Sequence, residues 1–205
     1  MQIPRRVGVV LFDDFELLDA FGPIQLLSRV PEEFSITLVG PTAGPVRSRQ
    51  GTLITADTSY ADAETPDIAL VPGGMGTRGL VAEQSFLTWL SEWATSASLV
   101  TSVCTGSALL AAAGLLEGYR ATSNKRAFDW ATQHGENVTW VRHARWVVDR
   151  DRWTSSGIAA GMDMTHALIA DQLGPDVAAE ASASIEYEPH TDPEWDPFAR
   201  YNGNA

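Results

Sequence analysis

The sequence predicts an α/β fold in which a mostly parallel sheet is covered by helices on both faces. Residues 7–12 and 67–71 form short, almost wholly apolar runs, as strands buried on both faces require, and residues 99–103 are a β-branched run of the same length. The two later runs stop at glycine-containing turns, Pro72-Gly73-Gly74 and Cys104-Thr105-Gly106, and the first stops at Asp13-Asp14. Segments with helical spacing lie between the runs, which is the alternation that builds parallel sheets.

Taken in order, residues 7–12 are the first strand, and Leu17, Leu18, Phe21, Ile24, Leu27 and Val30 then give helical spacing up to Pro31. Gly22-Pro23 is expected to bend or restart that helix, because proline lacks the amide proton and clashes one turn back. Asp19 sits on its first turn, a carboxylate in an apolar stretch that must face water or find a partner. Residues 34–39 alternate and stop at Gly40-Pro41, a second strand. Residues 41–64 make a small excursion with a β run at Leu53-Ile54-Thr55, and no chemistry is expected there.

Residues 67–71 lead into the glycine-rich turn 72–76. It has neither a P-loop lysine nor dinucleotide spacing, so phosphate binding is not expected. The turn either uses glycine for positive φ or offers the Gly73 and Gly74 amides as oxyanion-type donors. Phe86, Leu87, Leu90 and Trp93 form one helical core face, and residues 108–113 form a buried helix. A short helix is expected at 126–130, paired strands at 138–141 and 146–149, and a further strand at 152–156. Ser156-Gly157 then opens a helix running through Met164, Leu168 and Ile169, where Asp163 compensates the N-terminus.

Composition narrows the function. With 205 residues, 44% hydrophobic and 20% charged, the chain fits one domain, taken as residues 1–188, followed by a tail at 189–205 rich in acidic, proline and aromatic residues. The net charge of −12 opposes a nucleic-acid partner and disfavours a strongly anionic substrate. No stretch approaches the ~18 apolar residues that would span a membrane, and no cleavage-site pattern follows the N-terminus, so a cytoplasmic protein is expected. One cysteine makes no internal disulfide. His134, His143, His166 and His190 show no ligand spacing, so neither a metal nor a cofactor is expected.

That cysteine, Cys104, stands where a strand turns directly into a helix, with the small residues Ser102 and Gly106 two positions to either side. This is the layout of a nucleophile elbow with sulfur in place of a hydroxyl, whose strained residue costs about 1–3 kcal/mol. The elbow alone leaves open a second reading, a small buried hydrophobe. Asp19, Gly73-Gly74 and Cys104 all follow strands, however, so all fall at the carboxyl edge of the sheet, where α/β folds bind ligands. A free thiol is only a few per cent ionised at pH 7, so the elbow is expected to lower its pKa. An ionised Asp19 would oppose that, and a useful pair shares one proton.

Those three features, in that order, resemble the ThiJ/PfpI superfamily. Leu18-Asp19-Ala20-Phe21-Gly22-Pro23, Val103-Cys104-Thr105-Gly106-Ser107 and the stretch 112–122 are similar to its isocyanide hydratase branch. The resemblance implies a flavodoxin-like three-layer sandwich and a homodimer acting on a small-molecule substrate. It places the functional positions at Asp19, Cys104 and Thr105; Asn124, Ser156 and Gly157 are further candidates expected around them. The peptidase-like members carry histidine directly after the cysteine; Thr105 here removes the Cys-His pair. Where the hydratase branch has a Thr-His-Trp-like segment, this chain reads Ser123-Asn124-Lys125, and Asn124 hydrogen-bonds without shuttling a proton. The implied reaction is hydration of an isocyanide through a Cys104 thiolate. A glyoxalase- or deglycase-like reaction on dicarbonyls, a cysteine redox sensor and a small-molecule binding module are the alternatives.

Overall fold

The structure, a computed structural model, describes residues 3–200. Its centre is a seven-stranded sheet whose first strand, β1 (Arg5–Val10), lies near the middle. Next along the chain come α1 (Leu17–Leu27), β2 (Phe34–Gly40), the hairpin β3 (Gly44–Arg47) and β4 (Leu53–Ala56), and β5 (Thr58–Ser59). β6 (Ile68–Val71), α2 (Thr77–Leu80), α3 (Gln84–Thr95), β7 (Leu99–Ser102) and α4 (Gly106–Ala112) complete the central part. β8 (Arg120–Ala121), α5 (Phe128–Ala131), β9 (Thr139–Trp140), β10 (Trp146–Asp149), β11 (Arg152–Ser155), α6 (Ala160–Leu173) and α7 (Pro175–Ala183) follow. The sheet order is β10-β11-β7-β6-β1-β2-β5, parallel throughout except for β10 against β11.

Helices flank the sheet: α1, α6 and α7 pack on one another, and α4 packs with α2 and α3. Val7, Val9, Val10 and all of β6 and β7 are buried, which explains why their sequences do not alternate. Gly8 is fixed by packing, since a Cβ there would lie 2.4 Å from the Trp93 ring.

Three details of the sequence reading change. α1 runs unbroken through Pro23. The Gly22 beside it presses on α6, where an added Cβ would meet Met162 Cγ at 2.8 Å, and this packing outweighs the one helical hydrogen bond that proline removes. Residues 138–141 and 146–149 do not pair with each other. β9 pairs in parallel with β8, while β10 folds back on β11 around Arg150, whose φ of 56° makes the tight turn.

Asp163, in the first turn of α6, does more than compensate a helix end. It is buried and ion-paired to Arg145, with Nη2 to Oδ2 at 2.5 Å, and it also accepts from the Tyr187 hydroxyl and the His190 amide. The segment after α7 is thereby tied down, helped by the Arg145 amide donating to the Pro193 carbonyl at 2.7 Å. Trp195 and Phe198 remain exposed beyond it, and the end of the expected tail, residues 201–205, lies outside the described residues.

Candidate active site

The elbow is held from four sides. Cys104 has a φ of 59°, in the left-handed region that a side chain adopts only when its surroundings insist. Its amide donates to the carbonyls of Ser155 at 3.2 Å and Ser156 at 3.1 Å, at the end of β11. Its carbonyl accepts from the Ser107 hydroxyl at 3.1 Å and the Ser123 hydroxyl at 3.0 Å. Gly106 is obligatory, because a Cβ there would stand 2.2 Å from the Val71 carbonyl oxygen. The expected small residue two places after the cysteine thus has a direct steric cause.

Asp19 is brought to the same place by the first turn of α1. It is fully buried, and its Oδ2 accepts the Gly73 amide proton at 3.0 Å. Oδ1 has no partner of ordinary hydrogen-bond geometry, and the Cys104 thiol is the side chain that interacts with the carboxyl. Burial pushes the Asp19 pKa up to about 7; the Gly73 amide pulls it back, the Glu16 carboxylate raises it and the Cys104 contact lowers it.

The thiol departs from expectation. Burial pushes Cys104 well above the ordinary thiol value, and the Asp19 charge adds to this; the Thr105 amide and the Asn124 side chain pull the other way without winning. The elbow therefore does not lower the Cys104 pKa as the sequence led us to expect, because desolvating a thiolate costs more than two neutral donors return.

The oxyanion expectation for Gly73 and Gly74 also changes. Both amides are engaged within the protein, Gly73 by Asp19 and Gly74 by the Thr105 hydroxyl at 3.0 Å. The turn carries glycine for steric reasons instead. A Cβ at 73 would meet the Thr105 amide nitrogen at 2.6 Å, and Gly74, at φ 130°, sits 2.4 Å by the same measure from the Asp14 carbonyl. The backbone donor acting on the sulfur is the Thr105 amide.

Asn124 is oriented by its own turn. Its Oδ1 accepts the Ala127 amide at 3.0 Å, which leaves Nδ2 to point at the thiol. The same amide explains Gly157, where a Cβ would lie 2.2 Å from Asn124 Nδ2. Ser156 contributes through its backbone carbonyl. Beneath the turn, Lys125 is buried and donates to Thr122 Oγ1 at 2.7 Å and to the Ala144 carbonyl at 2.5 Å; burial lowers its pKa to about 8.

Sequence reasoning missed three neighbours. Thr77, fully buried, donates to the Gly74 carbonyl at 2.7 Å and lies 3.2 Å from Thr105 Oγ1, so α2 is fastened to the elbow. Glu16 stands three residues before Asp19 and shifts it. Arg78, next to Thr77, stacks on the Trp130 ring at 3.4 Å and lies within Coulombic reach of Cys104. No motif marks any of them. A separate apolar groove of about 620 Å³, walled by Tyr60, Phe86 and Trp89, shares Gly76 with the same loop but is not lined by Cys104. Among the described residues, no group of three or more His, Cys, Asp or Glu side chains could hold a metal ion, and no helix is long and apolar enough to cross a membrane.

The model of the DJ-1/PfpI family matches residues 5–171. The chain belongs to the DJ-1/PfpI family. It is 34% identical to isonitrile hydratase of Pseudomonas putida over 90% of this chain and 79% of that protein. It is also 30% identical to the HTH-type transcriptional regulator GbdR of Pseudomonas aeruginosa, over 90% of this chain but only 51% of the regulator. A crystal structure of a ThiJ/PfpI family protein from Pseudomonas syringae superposes with a TM-score of 0.82 at 28% identity, covering 91% of this chain and 76% of that one. The sheet flanked by helices is thus the flavodoxin-like sandwich of this DJ-1/PfpI domain, and Asp19, Gly73-Gly74 and Cys104 share its carboxyl edge.

Proposed function

We propose that this protein is a hydratase of small electrophiles, in the manner of an isocyanide hydratase, with Cys104 as nucleophile and Asp19 as its proton partner. The observation that carries the reading is the pair itself: a strained elbow thiol against a buried carboxyl whose pKa is pushed up to about 7. The hydratase relative supports the substrate class.

The reactive form of the pair holds a single proton. As the sulfur attacks the terminal carbon of an isocyanide, the thiol proton passes to the Asp19 carboxylate, and from there to that carbon, leaving an N-substituted thioimidate on Cys104. Water then adds to the thioimidate carbon, the C–S bond breaks, the sulfur regains its proton and an N-substituted formamide leaves. The Thr105 amide and Asn124 Nδ2, both aimed at the sulfur, stabilise negative charge on it as the adduct forms and breaks. Asn124 needs only to donate, so the absence of a histidine at this position leaves proton transfer to Asp19. On this reading the protein works as a homodimer on a small molecule, without a metal, cofactor or nucleic-acid partner.

A purified-protein screen of isocyanides, methylglyoxal and glyoxal, with products identified by mass spectrometry, tests the assignment. Formamide from isocyanides is the expected product; hydroxy acids from the dicarbonyls alone would replace this reading with a glyoxalase-like one.

A further inference from the structure

We propose that Arg78 recognises an anionic group, so that the site takes electrophiles bearing a carboxylate. The proposal rests on Cys104 as the reacting group and adds a substrate class to the reading above.

Arg78 is fixed beside the site by its neighbour, since Thr77 bonds both the Gly74 carbonyl and the Thr105 hydroxyl. Its guanidinium carbon lies over the indole of Trp130, 3.4 Å from the ring centroid, a contact that does not consume its N–H donors. Trp130 is itself steadied by His134, packed edge-on at 4.9 Å. Among the described residues, Arg78 makes no ion pair. A stacked, partly buried guanidinium with unspent donors, within Coulombic reach of the nucleophile, is suited to a planar carboxylate.

The rest of the molecule makes this local charge matter. At a net −12, with Asp19 and Glu16 at the site, the field opposes anions, and Arg78 supplies the attraction that lets one approach. On this proposal the local field at Arg78 differs from the one that the net charge sets.

Iodoacetate and iodoacetamide make the test independent of turnover. Both alkylate a thiol with loss of iodide and have nearly the same shape, but only one carries a carboxylate. The ratio of their second-order rate constants at Cys104, read by intact mass, should fall about tenfold in Arg78→Met. Arg78→Lys should recover part of it. Equal slowing with both reagents would show that Arg78 acts on the sulfur alone, and no change would show that it does neither; either result overturns the proposal. If the ratio falls but no isocyanide is hydrated, anion recognition stands and the hydratase reading fails.

Discussion

Asn124 Nδ2 occupies the space that a Cβ at residue 157 would need, 2.2 Å from the ideal position of that atom. One glycine thus makes room for the amide that addresses the thiol. In Gly157→Ala the new methyl must displace Asn124, so kcat/KM should drop by about 10- to 100-fold, as misplacement of a positioned donor does. The melting temperature should move little, because the displaced side chain can turn outward. Asn124→Ala should match it. A normal rate in Gly157→Ala would remove Asn124 from the account.

The pKa of Asp19 makes both activity and stability depend on pH. In the proposed mechanism ionised Asp19 accepts the thiol proton, so kcat/KM should rise with pH through about 7. Stability runs the other way. A carboxyl whose folded value is raised from 3.8 holds its proton more tightly when folded. Its contribution is therefore complete below about pH 4 and is lost as pH rises to about 7, by at most about 1.4 kcal/mol per pH unit. Asp19→Asn should be inactive, and its melting temperature relative to the native protein should climb across that window. A flat difference would show that Asp19 titrates normally.

Backbone strain at Cys104 can be read from two substitutions. At an ordinary position glycine is less stable than alanine by about 0.5–1 kcal/mol. At φ 59° the order should invert, with Cys104→Gly more stable than Cys104→Ala by about 1 kcal/mol in denaturant unfolding. Alanine remaining the more stable would mean that the elbow is relaxed.

The ion pair between Arg145 and Asp163 anchors the segment after α7. Arg145→Leu leaves Asp163 charged and buried, so a loss of about 3–5 kcal/mol is expected. Limited proteolysis should then cut near residue 190 before the sheet opens. Unchanged protease resistance would contradict this anchoring role.

Much of this site could be read from the sequence because its steric demands act on neighbouring residues. Gly106 records the approach of Val71, and Gly73 and Gly74 record contacts with Thr105 and Asp14. What could not be read depends on long-range placement. Asp163 looks the same in sequence whether it faces water or Arg145, and Arg78 becomes part of the site only because Trp130 arrives from a distant short helix. Pro23 misled for a related reason: its local penalty is visible, while the packing of Gly22 on Met162 that offsets it is not. The thiol pKa is not legible in sequence because burial, a property of the assembled core, outweighs the donors that local geometry supplies.

In the proposed reaction Cys104 adds to the isocyanide carbon and Asp19 carries the proton. The most direct measurement is formamide formation from an isocyanide by the native protein, Cys104→Ala and Asp19→Asn at pH 8. The native protein should turn over, and both variants, still folded, should be slower by about 10³-fold or more. Formamide production that survives in Cys104→Ala, or none from the native protein, would contradict the claim.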